Sequence, residues 1–502
     1  MTADQAFDAA LRLRDVQERE RMDYDILRLY ATGKQALPLV VPSDAPAEVR
    51  ELARISRINL IKIVIQSLVE SLFLDNIRVS RQDVADDPDM PEPNLDVPDS
   101  PDEVITPIWQ ALQTNRFDRR QSGLYRAVFE YGVGYTVVTP GAPEPVVRPL
   151  SPRTMTAFYG DDPDYPRQAL ERRRDGSYRL YEQSEGGGAV VWTLAYDPEK
   201  KRFAAETDPA DLGIDYVPVI KYVADEDLDL EDEPQSQEPV GTFNSRNTTC
   251  VVAGEVAPLM TLQDQQDVAS FGLQAAMWYT AFRQRWVVGW TPENRTAKMK
   301  SAASQLWTFD DDPDNIRLGE FTETNLDGFL RTRDAVLRYG ATLSQTPVHE
   351  LIGELVNLSA EALAAAEAGR DRKVDLAKVC LGESHEQTAQ TIGVYKGIDV
   401  PNTIEVVWKD TSARAFGALV DGLGKLAQML NVPPEMLWDR IPGVTRQDVV
   451  RWREAAAQGD SLGQLTNLLN AQGGGAAGTP TPNPDGTSTT GSGLILPRGA
   501  QV

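Results

Sequence analysis

Few residues in this chain could do chemistry, and their spacing decides what kind. His349-Glu350 opens like the metal-binding helix of a zinc protease, but the place of the second histidine is taken by Gly353. His385 is the only other histidine among 502 residues, so a two-histidine zinc site would have to join distant positions. A histidine-based serine triad would be limited to the same two residues, and His349 reads as a loop residue. Gly33-Lys34-Gln35 and Gly424-Lys425-Leu426 fail the flanking positions of a phosphate loop, which argues against a motor ATPase. The acid triplets Asp225-Glu226-Asp227, Glu231-Asp232-Glu233 and Asp310-Asp311-Asp312 have the oxygen chemistry for Mg²⁺ or Ca²⁺. Without an ordering glycine pattern they also read as solvated faces. Arg370, Arg372, Lys373 and Lys378 put a basic stripe on one long helix, suited to an acidic neighbouring subunit or to a weak phosphate contact. Trp278 with Phe271 and Phe282 offers either a stacking platform or ordinary core packing.

The elements that position these residues are most informative between Leu326 and Leu381, where one long helix, a broken connection and a second long helix follow each other. Pro347 removes a backbone donor and pushes Thr346 out of helical geometry, which ends the first helix. Ser359 offers an N-cap oxygen, Glu361 suits the first turn, and the alanine-rich run 360–368 is strongly helical. A connection of about fifteen residues is longer than helix–helix loops usually are. It holds no nucleophile–base pair, so it reads as a segment built to be positioned.

Upstream, residues 5–31 and 46–74 read as helices, the second with a broad apolar face from Leu60 to Leu72. Asn76 to Val79 starts a strand. Residues 81–103 hold nine acids and five prolines and read as a solvated loop. Helical patterns follow from Val104 and from Phe117, ending at Tyr131-Gly132-Val133-Gly134-Tyr135. From Thr136 to Val223 the chain is strand-like with repeated turn signals, and 177–181 and 190–194 alternate as antiparallel strands with one wet face. The run from Asp225 to Pro239 has eight acids and no base. From Pro258 to Gln284 a helix carries Val268, Phe271, Ala275, Trp278 and Phe282 at three–four spacing, a seam for another helix. Residues 285–325 form a small insert with strand signals at 285–289 and 305–309. The long helix after Ser359 reaches about Gly397, with a bend expected near Gly382, and Thr403 to Trp408 reads as a strand returning to the earlier sheet. Short helices fill 413–470, and the Gly/Thr/Pro/Ser-rich segment 471–502 is expected to be disordered.

The net charge of −25 repels phosphate, which excludes tight sequence-reading of DNA or RNA but allows weak, sliding contact. Cys250 and Cys380 are far apart and read as reduced structural thiols. No apolar run suits a membrane span and the N-terminus lacks signal-peptide features, so a product of the cytosol is expected.

In this order, mixed region, helix, insert, helix, broken loop, long helix, returning strand and helical cap, the chain resembles the SPP1-type portal proteins of tailed bacteriophages, as found in phages of actinobacteria. The resemblance covers roughly residues 5–460. It rests on Trp109 to Asp118 with Tyr131 to Tyr135, Val217 to Ile220, Leu262 to Gln265, and Thr346-Pro347 followed by Ser359 to Leu363. Where the family usually has a Gly-x-Ser-Glu/Asp turn after Pro239, this chain has Gly241-Thr242-Phe243-Asn244-Ser245-Arg246, which leaves the start of the following helix open.

The resemblance implies an α+β portal fold. It divides into a wing (1–222, with the returning strand near 403–408), an acidic linker (223–257), stem helices (258–284 and 326–343) and a clip (285–325). A tunnel loop (344–357), a long wing helix with its returning strand (358–412), a crown (413–470) and the tail complete it. It implies a ring, typically of twelve subunits, at one capsid vertex, made in the host cytoplasm and built into the virion. Double-stranded DNA passes through the ring without sequence reading. The terminase large subunit, major capsid and scaffolding proteins and a head-tail adaptor are the expected partners. No catalytic residue, cofactor, metal or membrane is expected. Gln345, His349, Glu350, Glu354 and Asn357 would form the tunnel loop nearest the duplex. Trp286, Trp290, Trp307, Arg295 and Lys298 would form the clip's docking face, and Val268, Phe271, Ala275, Trp278 and Phe282 the stem packing. An acid-cluster metal enzyme acting on nucleic acid, or another virion component such as an adaptor, is the alternative.

Overall fold

A computed structural model describes residues 3–36, 44–79, 101–160, 162–184, 187–226, 254–281, 285–288, 317–320, 326–353, 360–409 and 416–430, with scattered positions from 432 to 456. The first compact unit, residues 1–411, is layered, and the period-two alternation of its strands builds the layers. A three-stranded antiparallel sheet has the order β10 (Val219–Val223), β2 (Val133–Thr139), β3 (Val146–Leu150). A larger sheet runs β4 (Met155–Tyr159), β5 (Pro166–Arg172), β6 (Tyr178–Gln183), β7 (Ala189–Asp197), β8 (Arg202–Ala205), with the two-residue β9 (Ala210–Asp211) also on β7.

Val137 and Val219 point into a core shared by the two sheets, where they meet Met155, Ala157, Ala169 and Tyr181. Their neighbours Val138 and Ile220 point the other way, into the main core. On the larger sheet Leu170, Leu180, Trp192 and Leu194 face outward, and Ala6, Ala10 and Leu13 of α1 (Ala3–Thr32) cover them. The expectation of one wet face on these strands is therefore corrected: both faces are covered, because the alanine-rich start of α1 is thin enough to lie on the sheet. Arg148 on β3 reaches across to Glu171 on β5 with two hydrogen bonds of 2.6 and 2.9 Å, and Tyr181 donates to the same carboxylate at 2.7 Å. Burial alone would raise the Glu171 carboxyl, but the guanidinium and the phenol outweigh it and hold it below its usual range.

The main core is helical, built from α3 (Leu60–Glu70), α4 (Pro101–Thr114), α5 (Phe117–Tyr131) and α9 (Ala360–Lys396) against the inner sheet. The sequence reading of one helix over 46–74 is corrected too. α2 (Ala47–Ile55) stops at Ser56, and α3 starts afresh after Asn59, whose side chain accepts from the Lys62 amide and donates to the Ala31 carbonyl, both at 3.0 Å. An asparagine with two local partners competes with helix continuation, so the break falls there. The acidic stretch 81–103 gives way to helix at Pro101, a residue suited to a first helical position; residues 80–100 lie outside the described residues. β1 (Leu74–Val79) pairs antiparallel with β13 (Ile404–Trp408), so the late strand does return to the early chain, as a separate two-stranded ribbon.

The second unit, residues 412–502, contains α10 (Phe416–Met429) and an edge-to-face pair of Trp438 and Trp452. The tail 471–502 lies outside the described residues. No helix among the described residues is long and apolar enough to cross a membrane.

Candidate functional site

The broken connection and the helices around it hold the residues of interest. α6 (Val256–Ala281) begins two residues before the expected Pro258, and Gly254 fixes that start. A Cβ there would stand 2.7 Å from both the Gly132 nitrogen and the Phe129 oxygen, so only glycine lets the chain pass over the end of α5. The Glu255 amide donates to the Phe129 carbonyl at 2.8 Å. Along α6 the buried face is Leu259, Gln263, Gln266, Asp267, Ser270 and Leu273. Gln263 stitches this helix to the α2–α3 break: its oxygen accepts from the Leu60 amide at 3.0 Å and its nitrogen donates to the Ile58 carbonyl at 2.6 Å. Asp267 accepts from Gln35 and Gln263, each at 2.9 Å, and burial raises its carboxyl above the usual range despite those bonds.

α7 (Asp327–Ser344) packs on α6, where Gly272 leaves room for the ring of Phe329. It ends at Gln345, which adopts a left-handed conformation with φ of 57°. The connection that follows contains a short helix, α8 (Val348–Ile352), ended by Gly353 at φ of 74°, where the sequence suggested only loop. Glu350 on α8 pairs with Arg370 on α9, and Glu367 lies 3.6 Å from the same guanidinium. His349, Glu350 and Glu367 bring ligand-type atoms within 4.8 Å of one another. With Arg370 already balancing the two carboxylates, the cluster acts as a clasp between α8 and α9. Lys373 donates to both carboxylate oxygens of Glu255 at 2.9 Å and to the Ser344 carbonyl at 3.1 Å. A cleft of about 500 Å³ opens where these elements meet, lined in part by Phe129, Glu255, Gln345, Arg372 and Lys373.

Of the expected loop residues, Gln345 is exposed, His349 and Glu350 are half-buried, and Glu354 and Asn357 lie outside the described residues. Of the expected docking residues, Trp286 sits on β11 (Arg285–Val288), opposite Gly319 of β12 (Arg317–Glu320) in an antiparallel pair. Trp290, Arg295, Lys298 and Trp307 lie outside the described residues, as do Asp310-Asp311-Asp312. Of the expected packing seam, Val268, Phe271 and Ala275 are half-buried, Trp278 is exposed, and Phe282 lies outside the described residues. This seam is on the side of α6 away from its buried face. The basic stripe is largely neutralised within the chain, since Arg370, Lys373 and Lys378 each pair with a carboxylate. Among the described residues, Arg372 bonds only its own helix, at the Ala368 carbonyl. Cys380 is half-buried, and burial together with Glu226 and Asp225 pushes its thiol up, which suits an inert structural cysteine.

No residue spacing pointed to the role of His385. It is fully enclosed, with Nε2 2.9 Å from the Tyr125 hydroxyl and Nδ1 3.1 Å from the Tyr222 hydroxyl. The rings of Phe117, Tyr125, Tyr222 and Trp408 surround it edge-on or tilted. Burial pushes its imidazole down to about 3, so it is neutral and ties α5, β10 and α9 together.

No curated protein sequence matches the chain. Among solved structures, similar folds occur in the virion of a native gene transfer agent particle (13% identity, 81% of this chain and 99% of that chain covered, TM-score 0.40). Another is in the neck of an empty particle of that agent computed with C6 symmetry (12% identity, 79% and 92% covered, TM-score 0.42). Residues 11–461 match the family described as phage portal protein, SPP1 Gp6-like. The chain belongs to that family, and its role is that of a phage portal protein, a structural component of the virion.

Proposed function

We propose that copies of this chain close into a ring, of twelve subunits in the family's usual form, around a bore that passes double-stranded DNA during packaging and ejection. The observation that carries this reading is the surface that one chain leaves uncovered. Tyr339 and Leu343 on α7, Leu376 and Val379 on α9, and Met277 on α6 are all exposed. Long helices that keep apolar side chains in water call for a protein neighbour, and a head-to-tail contact that closes on itself makes a ring. In this reading α6 and α7 are the stem, β11–β12 belongs to the clip, and Gln345, His349, Glu350, Glu354 and Asn357 form the tunnel loop. The clip docks the terminase large subunit and later a head-tail adaptor, while the outer surface meets major capsid and scaffolding proteins. The chain itself supplies no catalysis: the motor is another protein, and DNA is held weakly and without sequence reading.

Electron microscopy of the purified full-length chain tests the ring: end-on views with a central hole are expected, and a protein that stays monomeric under all conditions overturns it. Deleting residues 345–356 is expected to abolish DNA-filled heads; normal filling would remove the loop from the mechanism.

A further inference from the structure

Between them, α6 and α7 carry three basic side chains, and all are on α7: Arg331, Arg333 and Arg338. Arg333 is half-buried beside Asp334. Arg331 and Arg338 are exposed, and among the described residues neither forms an ion pair. At 3.6 residues per turn they lie two turns apart and, with exposed Thr342, within a strip roughly 40° wide. Tyr339 and Leu343 form a second exposed strip, roughly 100° round the same helix. One helix thus shows two chemically different edges to its surroundings. The apolar edge requires dry protein contact, whereas unpaired guanidinium groups favour water or an anion.

Resting on the ring reading above, we propose that the Arg331–Arg338 strip is the part of the wall that touches the phosphate backbone of the DNA duplex. Charge favours this assignment. The chain carries −25, and the cations of α9 are mostly occupied by Glu350, Glu255 and Asp375, so α7 is where the described α6–α7 pair offers free positive charge. Two arginines about 10 Å apart along the helix axis match the reach of a few successive phosphates on one strand. Phosphate contacts carry no base information, so such a strip centres a duplex without reading it.

The test uses rings of the full-length chain and a short fluorescent linear duplex, with affinity followed from about 50 to 200 mM salt. The double variant Arg331→Gln, Arg338→Gln is expected to form rings as the wild type does. It should bind at least about tenfold more weakly at the lower salt, with a log–log salt slope shallower by about two for each subunit that touches the duplex. A control that removes the same charge from α2 and α3, Arg50→Gln with Lys62→Gln, should leave both quantities at wild-type values. Unchanged affinity and slope in intact variant rings would overturn the proposal. So would rings that fall apart only in the double variant, which would assign the arginines to carboxylates of a neighbouring copy. An equal loss in the control would overturn it as well, by reducing the effect to bulk charge. Wild-type protein that forms no rings is seen before DNA is added, and sinks the ring reading and this strip together.

Discussion

Around His385 the polar atoms of three elements find partners inside one chain, with Tyr125, Tyr222 and Thr388 linked through the imidazole and through each other. Along the α6–α7 pair the opposite holds. Gln263 and Asp267 anchor one side of α6, yet Trp278, Tyr339, Leu343, Arg331 and Arg338 stay exposed. The first region is finished when one copy folds; in the ring proposed above, the second is finished by other molecules. A portal subunit needs both, because it must be stable before assembly and still carry surfaces that assembly consumes.

Four measurements would break or sharpen this contrast. An unfolded imidazole takes its proton near 6.5, while burial holds His385 neutral in the fold down to about 3. Stability is therefore full above about 6.5 and falls as pH drops toward 3, by about 5 kcal/mol from this residue. Urea unfolding over that range should show the loss, and a His385→Gln chain should show a flatter profile. At neutral pH, His385→Ala leaves a cavity and strips Tyr125 and Tyr222 of their shared partner, and should cost about 4 kcal/mol in the same assay. Gly254→Ala forces a methyl group against the backbone at the end of α5 and should cost about 2 kcal/mol, read from the shift in melting temperature. Tyr339→Ser with Leu343→Ser should change single-chain stability by less than about 0.5 kcal/mol, yet prevent ring formation in electron micrographs. If that pair instead melted the monomer, the exposed edge would belong to the fold and the contrast would fail.

Periodicity made much of the fold legible. α5, α6, α7 and α9 were readable from apolar spacing, from Pro347 and from Gly132, all local signals. The α2–α3 break was obscured because apolar residues continue across it; Asn59 was the one available cue. The covered outer face of the large sheet was hidden for a non-local reason, since α1 lies more than a hundred residues upstream of the strands that it packs on. At the candidate site the sequence located the loop but not α8, whose five residues are too few to show a period. The clasp of Arg370 on Glu350 joins positions in different elements, and His385 gave no pattern because its aromatic cage comes from three separate segments, α5, β10 and β13. What spacing cannot encode is which distant side chains meet.

Lys373 carries one more consequence. From a single point on α9 its ammonium grips the foot of α6 through Glu255 and the last carbonyl of α7 at Ser344. The two helices thereby share a fulcrum. In the proposed ring, a sideways load on the clip would reach α9 through that shared point, and Lys373→Met would let each helix move alone.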